Sequence, residues 1–181
     1  MQSFREGELA HHNYYRELHN DTGLLELDDD LNDDAQTWAE FLAQTGTFSH
    51  EANIAHGENL YYAFHPNSQH PYCNQTPLPE VCEYVNGSAS ASWYNEIQYY
   101  DYKTTRSTDA AQQIGHFTQV VWKDSTQVGF GRATMRDGGY DTEYIVARYN
   151  TPGNFVVMNY GQTYEEARVE DYTANVKPLK S

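Results

Sequence analysis

The clearest periodicity in the chain runs over residues 31–42, where Leu31, Ala35, Trp38, Ala39 and Leu42 recur along one helical face. Asp28, Asp29 and Asp30 stand just before it, where carboxylates favour a helix N-terminus. The acidic run DDDLNDD lacks the glycine and the closing glutamate of an EF-hand loop, so it reads as a helix start. Residues 3–19 predict an earlier, less amphipathic helix, opened by a Ser3/Glu6 capping-box pattern and closed at Asn20-Asp21-Thr22-Gly23. Two more helices are predicted: over about 88–100, with Ala89, Trp93, Ile97 and Tyr100 on one face, and over about 109–122, with Ile114, Phe117 and Val121.

The period then changes. Residues 127–135 alternate Val128 and Phe130 with Gly129 and Gly131, and residues 143–149 are rich in β-branched and aromatic side chains. Arg136-Asp137-Gly138-Gly139 between them is a hairpin signal. Residues 63–87, with Pro66, Pro71, Pro77 and Pro79, predict an insertion with little regular structure. The charged tail, residues 164–181, predicts an extended surface segment. Helices before and after a small antiparallel sheet predict an α+β chain, and 181 residues suit a single domain.

Charge narrows the function classes. The chain carries 26 acidic and 11 basic residues, a net charge of -15, which argues against nucleic acid and against anionic membrane surfaces. No apolar run is long enough to span a bilayer, and the start MQSFREGEL carries no apolar leader core, so it reads as a mature N-terminus. The two cysteines, Cys73 and Cys82, lie in the Pro-rich insertion, and sequons at Asn74 and Asn86 flank them, with a third at Asn20. This combination predicts a surface loop closed by a Cys73–Cys82 disulfide in a secreted glycoprotein.

Of the eight histidines, His65 and His70 fall in the insertion and carry no assignment. His11, His12 and His19 on the first helix do not make an i, i+4 metal pair, and His12 and His19 read as packing or capping residues. His50, ending FSH, and His116, in GHFTQVVW, differ because of their company: Glu58 in GENLYY and Glu96 in SWYNEI. No G-x-S-x-G elbow and no HExxH helix accompanies them.

The ordered series FSH, GEN, WYNEI and GHFTQVVWKDS resembles the motif series of the CAP superfamily, which comprises cysteine-rich secretory proteins, antigen 5 and pathogenesis-related proteins. HNYYR at His12, Asn13 and Arg16 and IVARYNTPGN at 145–154 are similar to two further family motifs, with Ala147 where the family usually carries Cys. The cysteine-poor character and the tail ANVKPLK are most similar to the Golgi-associated pathogenesis-related type, and the family's usual disulfides cannot form here.

The resemblance implies a three-layer α-β-α sandwich with a small antiparallel sheet and a cleft holding His50, Glu58, Glu96 and His116. It implies that the two imidazoles bind a divalent cation, zinc best matching neutral imidazole nitrogen, with the glutamates orienting the rings. The competing expectation is a polar cluster that braces the fold. In family members with sterol activity an aromatic loop at about this position holds the ligand, which points to Tyr61, Tyr62, Phe64 and Tyr72. The expected function is therefore a secreted, extracellular binding module for a small apolar ligand or an extracellular protein. A metal-dependent hydrolase or peptidase is one alternative. An acidic, Tyr-rich matrix or signalling interaction protein is the other.

Overall fold

A computed structural model describes residues 1–66, 88–137 and 140–181. The elements are α1 (Gln2–Glu17), β1 (Glu26–Leu27), α2 (Asp29–Thr45), β2 (Gly57–Pro66), α3 (Ala89–Tyr94), β3 (Tyr100–Asp101), β4 (Arg106–Ser107), α4 (Gly115–Val120), β5 (Gln127–Asp137), β6 (Tyr140–Asn150) and α5 (Tyr164–Asn175). A four-stranded sheet runs in the order β1-β5-β6-β2, with β1 parallel to β5 and the other pairs antiparallel. Helix α2 covers one face; α1, α3 and α4 cover the other, which makes the three layers expected of the chain.

Strand alternation divides the core. Leu60, Tyr144 and Val146 point to Ala35, Ala39 and Leu42 of α2. Val128, Phe130, Ile145, Ala147 and Tyr149 point the other way, against Tyr15, Trp93, Phe117 and Trp122. Asp28 caps α2, its carboxylate accepting from Leu31 N at 2.9 Å, and Gly46 ends it in the left-handed region.

Helix α2 lies unusually close to the sheet because β5 offers no side chain where they meet. A Cβ on Gly129 would sit 2.1 Å from the carbonyl carbon of Leu31, and one on Gly131 2.2 Å from that of Ala35. The close approach also lets α2 finish the sheet edge. β1 pairs with β5 only at Gln127 and Val128. Beyond them, Phe130 N donates to Asn32 Oδ1 and Arg132 N to Gln36 Oε1, each at 2.9 Å. Gln36 Nε2 donates back to the Arg132 carbonyl at 2.9 Å, and Arg5 Nε donates to that of Phe130 at 3.0 Å. Side chains thus supply the partners that an exposed edge would otherwise leave open.

Several elements differ from the sequence expectation. Helix α1 begins at Gln2 with no side-chain cap, so the Ser3/Glu6 pattern caps nothing. The predicted helix at 88–100 is α3 followed by a 3-10 turn at Asn95–Tyr99. The helix at 109–122 shortens to Gly115–Val120, its predicted first turn being taken up by side chain-backbone contacts such as Asp109 Oδ1 with Ala111 N. Strand β2 was not foreseen and runs to Pro66, into the span expected to lack structure. The tail is not extended as a whole: α5 occupies 164–175, closed at its start by a full Thr163/Glu166 capping box. Its buried positions Ala167, Arg168 and Asn175 include two polar residues, which conceals the apolar face. Cys73, Cys82, Tyr72, Asn74 and Asn86 lie outside the described residues. No helix among the described residues is long and apolar enough to cross a membrane.

The contact between α2 and β5 predicts that Gly131→Ala destabilises the chain by about 1–3 kcal/mol, since backbone rather than a movable side chain blocks the new methyl. The urea midpoint should fall at constant m-value; an unchanged midpoint would show that α2 can move outward freely.

Candidate functional site

β2 carries Glu58 and Asn59 to opposite faces of the sheet, and the site is built on both. On the α2 face, Glu58 stands opposite Arg148 in the β2–β6 register. Arg148 is fully buried and meets three carboxylates: Asp34 at 2.9 Å from Nε, Glu58 at 2.5 Å from Nη1, and Glu51 from Nη2. A buried guanidinium needs such partners, because an unpaired charge there would cost several kcal/mol. The other Glu58 oxygen accepts from His50 Nδ1 and, at 3.3 Å, from Glu51 N. The Glu58 side chain is 3% exposed while His50 is 64% exposed, so a fixed carboxylate holds a solvent-facing ring. The loop bearing His50 is further held by Trp38, whose Nε1 donates to the Ser49 carbonyl at 3.3 Å.

On the other face, Glu96 serves two purposes. Its Oε2 accepts from His116 N at 3.0 Å and Phe117 N at 3.1 Å, satisfying free donors at the start of α4. Its Oε1 accepts from His116 Nδ1 at 2.6 Å. The Trp93 ring lies nearly parallel to that of His116 at 6.4 Å. The His116 carbonyl accepts from Asn59 Nδ2 at 3.1 Å, which places this dyad against the strand residue next to Glu58.

Asn59 leads into a buried network. Its Nδ2 also donates to the Tyr149 hydroxyl at 3.2 Å, and that hydroxyl lies 2.8 Å from His12 Nε2. His12 Nδ1 lies 3.0 Å from the Glu8 carbonyl and 2.7 Å from Ser90 Oγ. Burial pushes the His12 imidazole down to about 3, so the ring is neutral and its Nδ1–H donates while Nε2 accepts from the phenol. Arg16, one turn on, is fully buried and donates to the carbonyls of Gly23, Val120, Trp122 and Ser125 at 2.6–3.0 Å. Asn13 exchanges two hydrogen bonds with the Leu25 backbone. The HNYYR segment therefore clamps α1 to the turns around α4 and the first strand. His12 and His19 are both buried, His19 Nε2 meeting the Tyr94 hydroxyl at 2.9 Å.

The four residues singled out in the sequence thus form two Nδ1-linked His/Glu dyads, His50–Glu58 and His116–Glu96. With Nδ1–H donating to a carboxylate, each ring presents its Nε2 lone pair, the atom suited to a metal. Among the described residues, no group of three or more His, Cys, Asp and Glu is arranged to hold a metal ion. The aromatic set divides. Tyr61 is half-buried against the core on the α1 and α3 side, while Tyr62 and Phe64 point to the α2 side, 45% and 63% exposed. Phe48 joins them, 4.6 Å from the Tyr62 ring, and Phe64 meets Tyr62 edge-on at 5.4 Å. Arg148, Glu51, Asp34, Asn59 and Tyr149 were not singled out as site residues from the sequence. A lone Arg inside the β-rich run EYIVARY was the available signal, since an ionic side chain in a buried strand must have partners.

The family model described as "CAP: Cysteine-rich secretory protein family" matches residues 9–160. The chain is 35% identical over 145 residues to Protein PRY2 of Saccharomyces cerevisiae, covering 80% of this chain but only 36% of that protein, so it spans about a third of the yeast relative. It is 30% identical over 148 residues to Golgi-associated plant pathogenesis-related protein 1 of Homo sapiens, covering 82% of each. Other relatives bear the names venom allergen 5 and pathogenesis-related protein 1A. Among solved structures, BmVAL-1 superposes with a TM-score of 0.59 at 25% identity, over 83% of this chain and 78% of that one.

The hydrogen bond that His50 donates to the Glu58 carboxylate raises the pKa of His50 above its ordinary value. This stabilising contribution is complete below the unfolded pKa of about 6.5 and is lost as pH rises through the higher folded value. An NMR titration should place the His50 midpoint above about 6.5 in the wild type and lower in Glu58→Gln; equal midpoints would remove Glu58 as the cause.

Proposed function

The chain belongs to the CAP, or cysteine-rich secretory protein, family, and on that premise we propose that it is a secreted binding module whose His50 and His116 imidazoles take a divalent cation. The observation that carries this reading is the pair of dyads, in which Glu58 and Glu96 each occupy an Nδ1 and leave Nε2 to a ligand. Neutral imidazole nitrogen suits zinc. When bound, the ion would act as a Lewis acid with water completing its coordination. The chain's own residues do the positioning: Arg148 holds the Glu58 carboxylate, and the α4 backbone holds that of Glu96. Two protein ligands without a third imply modest affinity, which suits a site for an exchangeable ion. The secreted assignment is supported by the sequons and by relatives named as venom allergens.

Titration calorimetry with zinc should give saturable binding at one ion per chain, lost in a His50→Ala/His116→Ala double variant. Equal affinity in the two proteins would reject the site. Binding should weaken on acidification, because an imidazolium has no lone pair to offer.

A second reading concerns a neutral apolar ligand, and the exposed group Phe48, Tyr62 and Phe64 favours it. Three aromatic rings joined through Tyr62, open to solvent, offer one wall of a sterol site at about 25 cal/mol per Å² of apolar surface covered. A neutral sterol is not repelled by a net charge of -15. Labelled cholesterol should bind saturably to the wild type and less to Tyr62→Ala/Phe64→Ala. Absence of saturable binding ends this reading; binding indifferent to the substitutions removes these rings from it.

A further inference from the structure

Residues 155–160 leave four large apolar side chains in solvent in close succession: Phe155, Val157, Met158 and Tyr160, with Tyr160 at 109% of its reference exposure. Scattered exposed apolar residues are ordinary, but four within six positions are not. The segment is not loose chain. Val157 N donates to Asp171 Oδ2 at 2.7 Å, and Gln162 Nε2 donates to Glu170 Oε2 at 2.8 Å, which lays the stretch along α5. Gln162 also folds back onto Asn159, its N donating to the Asn159 carbonyl at 3.1 Å and its Oε1 accepting from Asn159 N at 3.2 Å. Between segment and helix runs a groove of about 1000 Å³, lined by Tyr160, Gln162, Glu166, Val169, Glu170 and Thr173.

The groove is apolar at Tyr160 and Val169 and negative along its helical side. Glu165 is neutralised by Arg106 and Arg168. Glu166 accepts from Thr163 within the capping box and Glu170 from Gln162, and neither takes part in any of the described ion pairs. Lys177 is the single cation among the described lining residues. An occupant must therefore bring apolar side chains for Tyr160 and Val169 in the groove and for the exposed Met158 two residues before Tyr160, and positive charge for Glu166 and Glu170. A second copy of the chain would face this acidic wall with its own, at -15 against -15. An anionic bilayer would be repelled in the same way.

We propose that the surface formed by residues 155–162 and α5 docks a cationic amphipathic segment of another polypeptide, its apolar stripe on Met158 and Tyr160 and its Lys or Arg side chains on Glu166 and Glu170. This surface shares no residue with either His/Glu dyad, so it stands or falls independently of the metal reading.

The test is fluorescence anisotropy on the full chain with a labelled Leu/Lys peptide of about four helical turns. A Ser/Lys peptide of equal charge and a Leu/Glu peptide of equal apolarity serve as controls. The Leu/Lys peptide should bind saturably at one per chain, about tenfold or more tighter than either control. Met158→Ser/Tyr160→Ser and Glu170→Lys should each weaken it by about tenfold, with unchanged circular dichroism and melting temperature. The Glu170 effect should shrink at high salt while the Tyr160 effect persists. Equal affinity for the Ser/Lys peptide reduces the effect to net charge and overturns the proposal, as does binding indifferent to both variants. A concentration-dependent dimer in light scattering that the Met158→Ser/Tyr160→Ser variant abolishes assigns the surface to a second copy and overturns it too.

Discussion

The Tyr149 hydroxyl, buried between the sheet and α1, donates to neutral His12 and accepts from Asn59, and Asn59 in turn holds the carbonyl of His116. Three separate parts of the chain, the first helix, strand β2 and the start of α4, meet in that one exchange. His12, Asn59 and Tyr149 are buried, so each must find its partner inside the protein or cost about 1–3 kcal/mol. The arrangement tolerates one tautomer and one orientation, and the solvent-facing side of the site inherits that rigidity. His116 cannot shift along the sheet without breaking the bond to Asn59. Glu58, the neighbouring residue on the opposite face, carries His50.

Two arginines show how an acidic chain spends its few cations. Arg16 and Arg148 are both completely buried, although the sequence has only 11 Lys and Arg in all. Arg16 serves backbone carbonyls, joining turns that have no regular structure of their own. Arg148 serves carboxylates and pins Glu58. Arg is suited to both positions because its planar fork reaches several acceptors at once. The surface keeps the excess of carboxylates, which favours soluble cations near the site and opposes anionic lipid. A binding module that exchanges a divalent ion, or that recruits a basic partner, fits this distribution better than one that works on nucleic acid.

Much of the scaffold was legible. α2 announced itself through helical spacing and its aspartates, and the β5–β6 hairpin through alternation and the glycine turn. β2 escaped because GENLYYAFHP has no clean alternation: Asn59, Leu60 and Tyr61 are all buried to some degree, on faces that are both covered. α5 escaped because its buried face contains Arg168 and Asn175, which satisfy neighbouring backbone carbonyls and amides instead of forming an apolar stripe. Its capping box TYEE was present in the sequence and was the signal to follow.

At the site, the resemblance in motif order singled out His50, Glu58, Glu96 and His116, and the folded chain pairs them as two His/Glu dyads. Which histidine pairs with which glutamate was a matter for the tertiary structure, since partners 20 residues apart in the His116 dyad meet only after α3 and α4 pack together. The separation of Tyr61 from Tyr62 and Phe64 was likewise decided there, by the two-residue period of β2 against β6. Local spacing fixes what a helix or turn will be, because its bonds close within a few residues. The neighbours of a buried charge such as Arg148 come from elements 90–114 positions away, and only the register of the folded sheet and the seating of α2 bring them together.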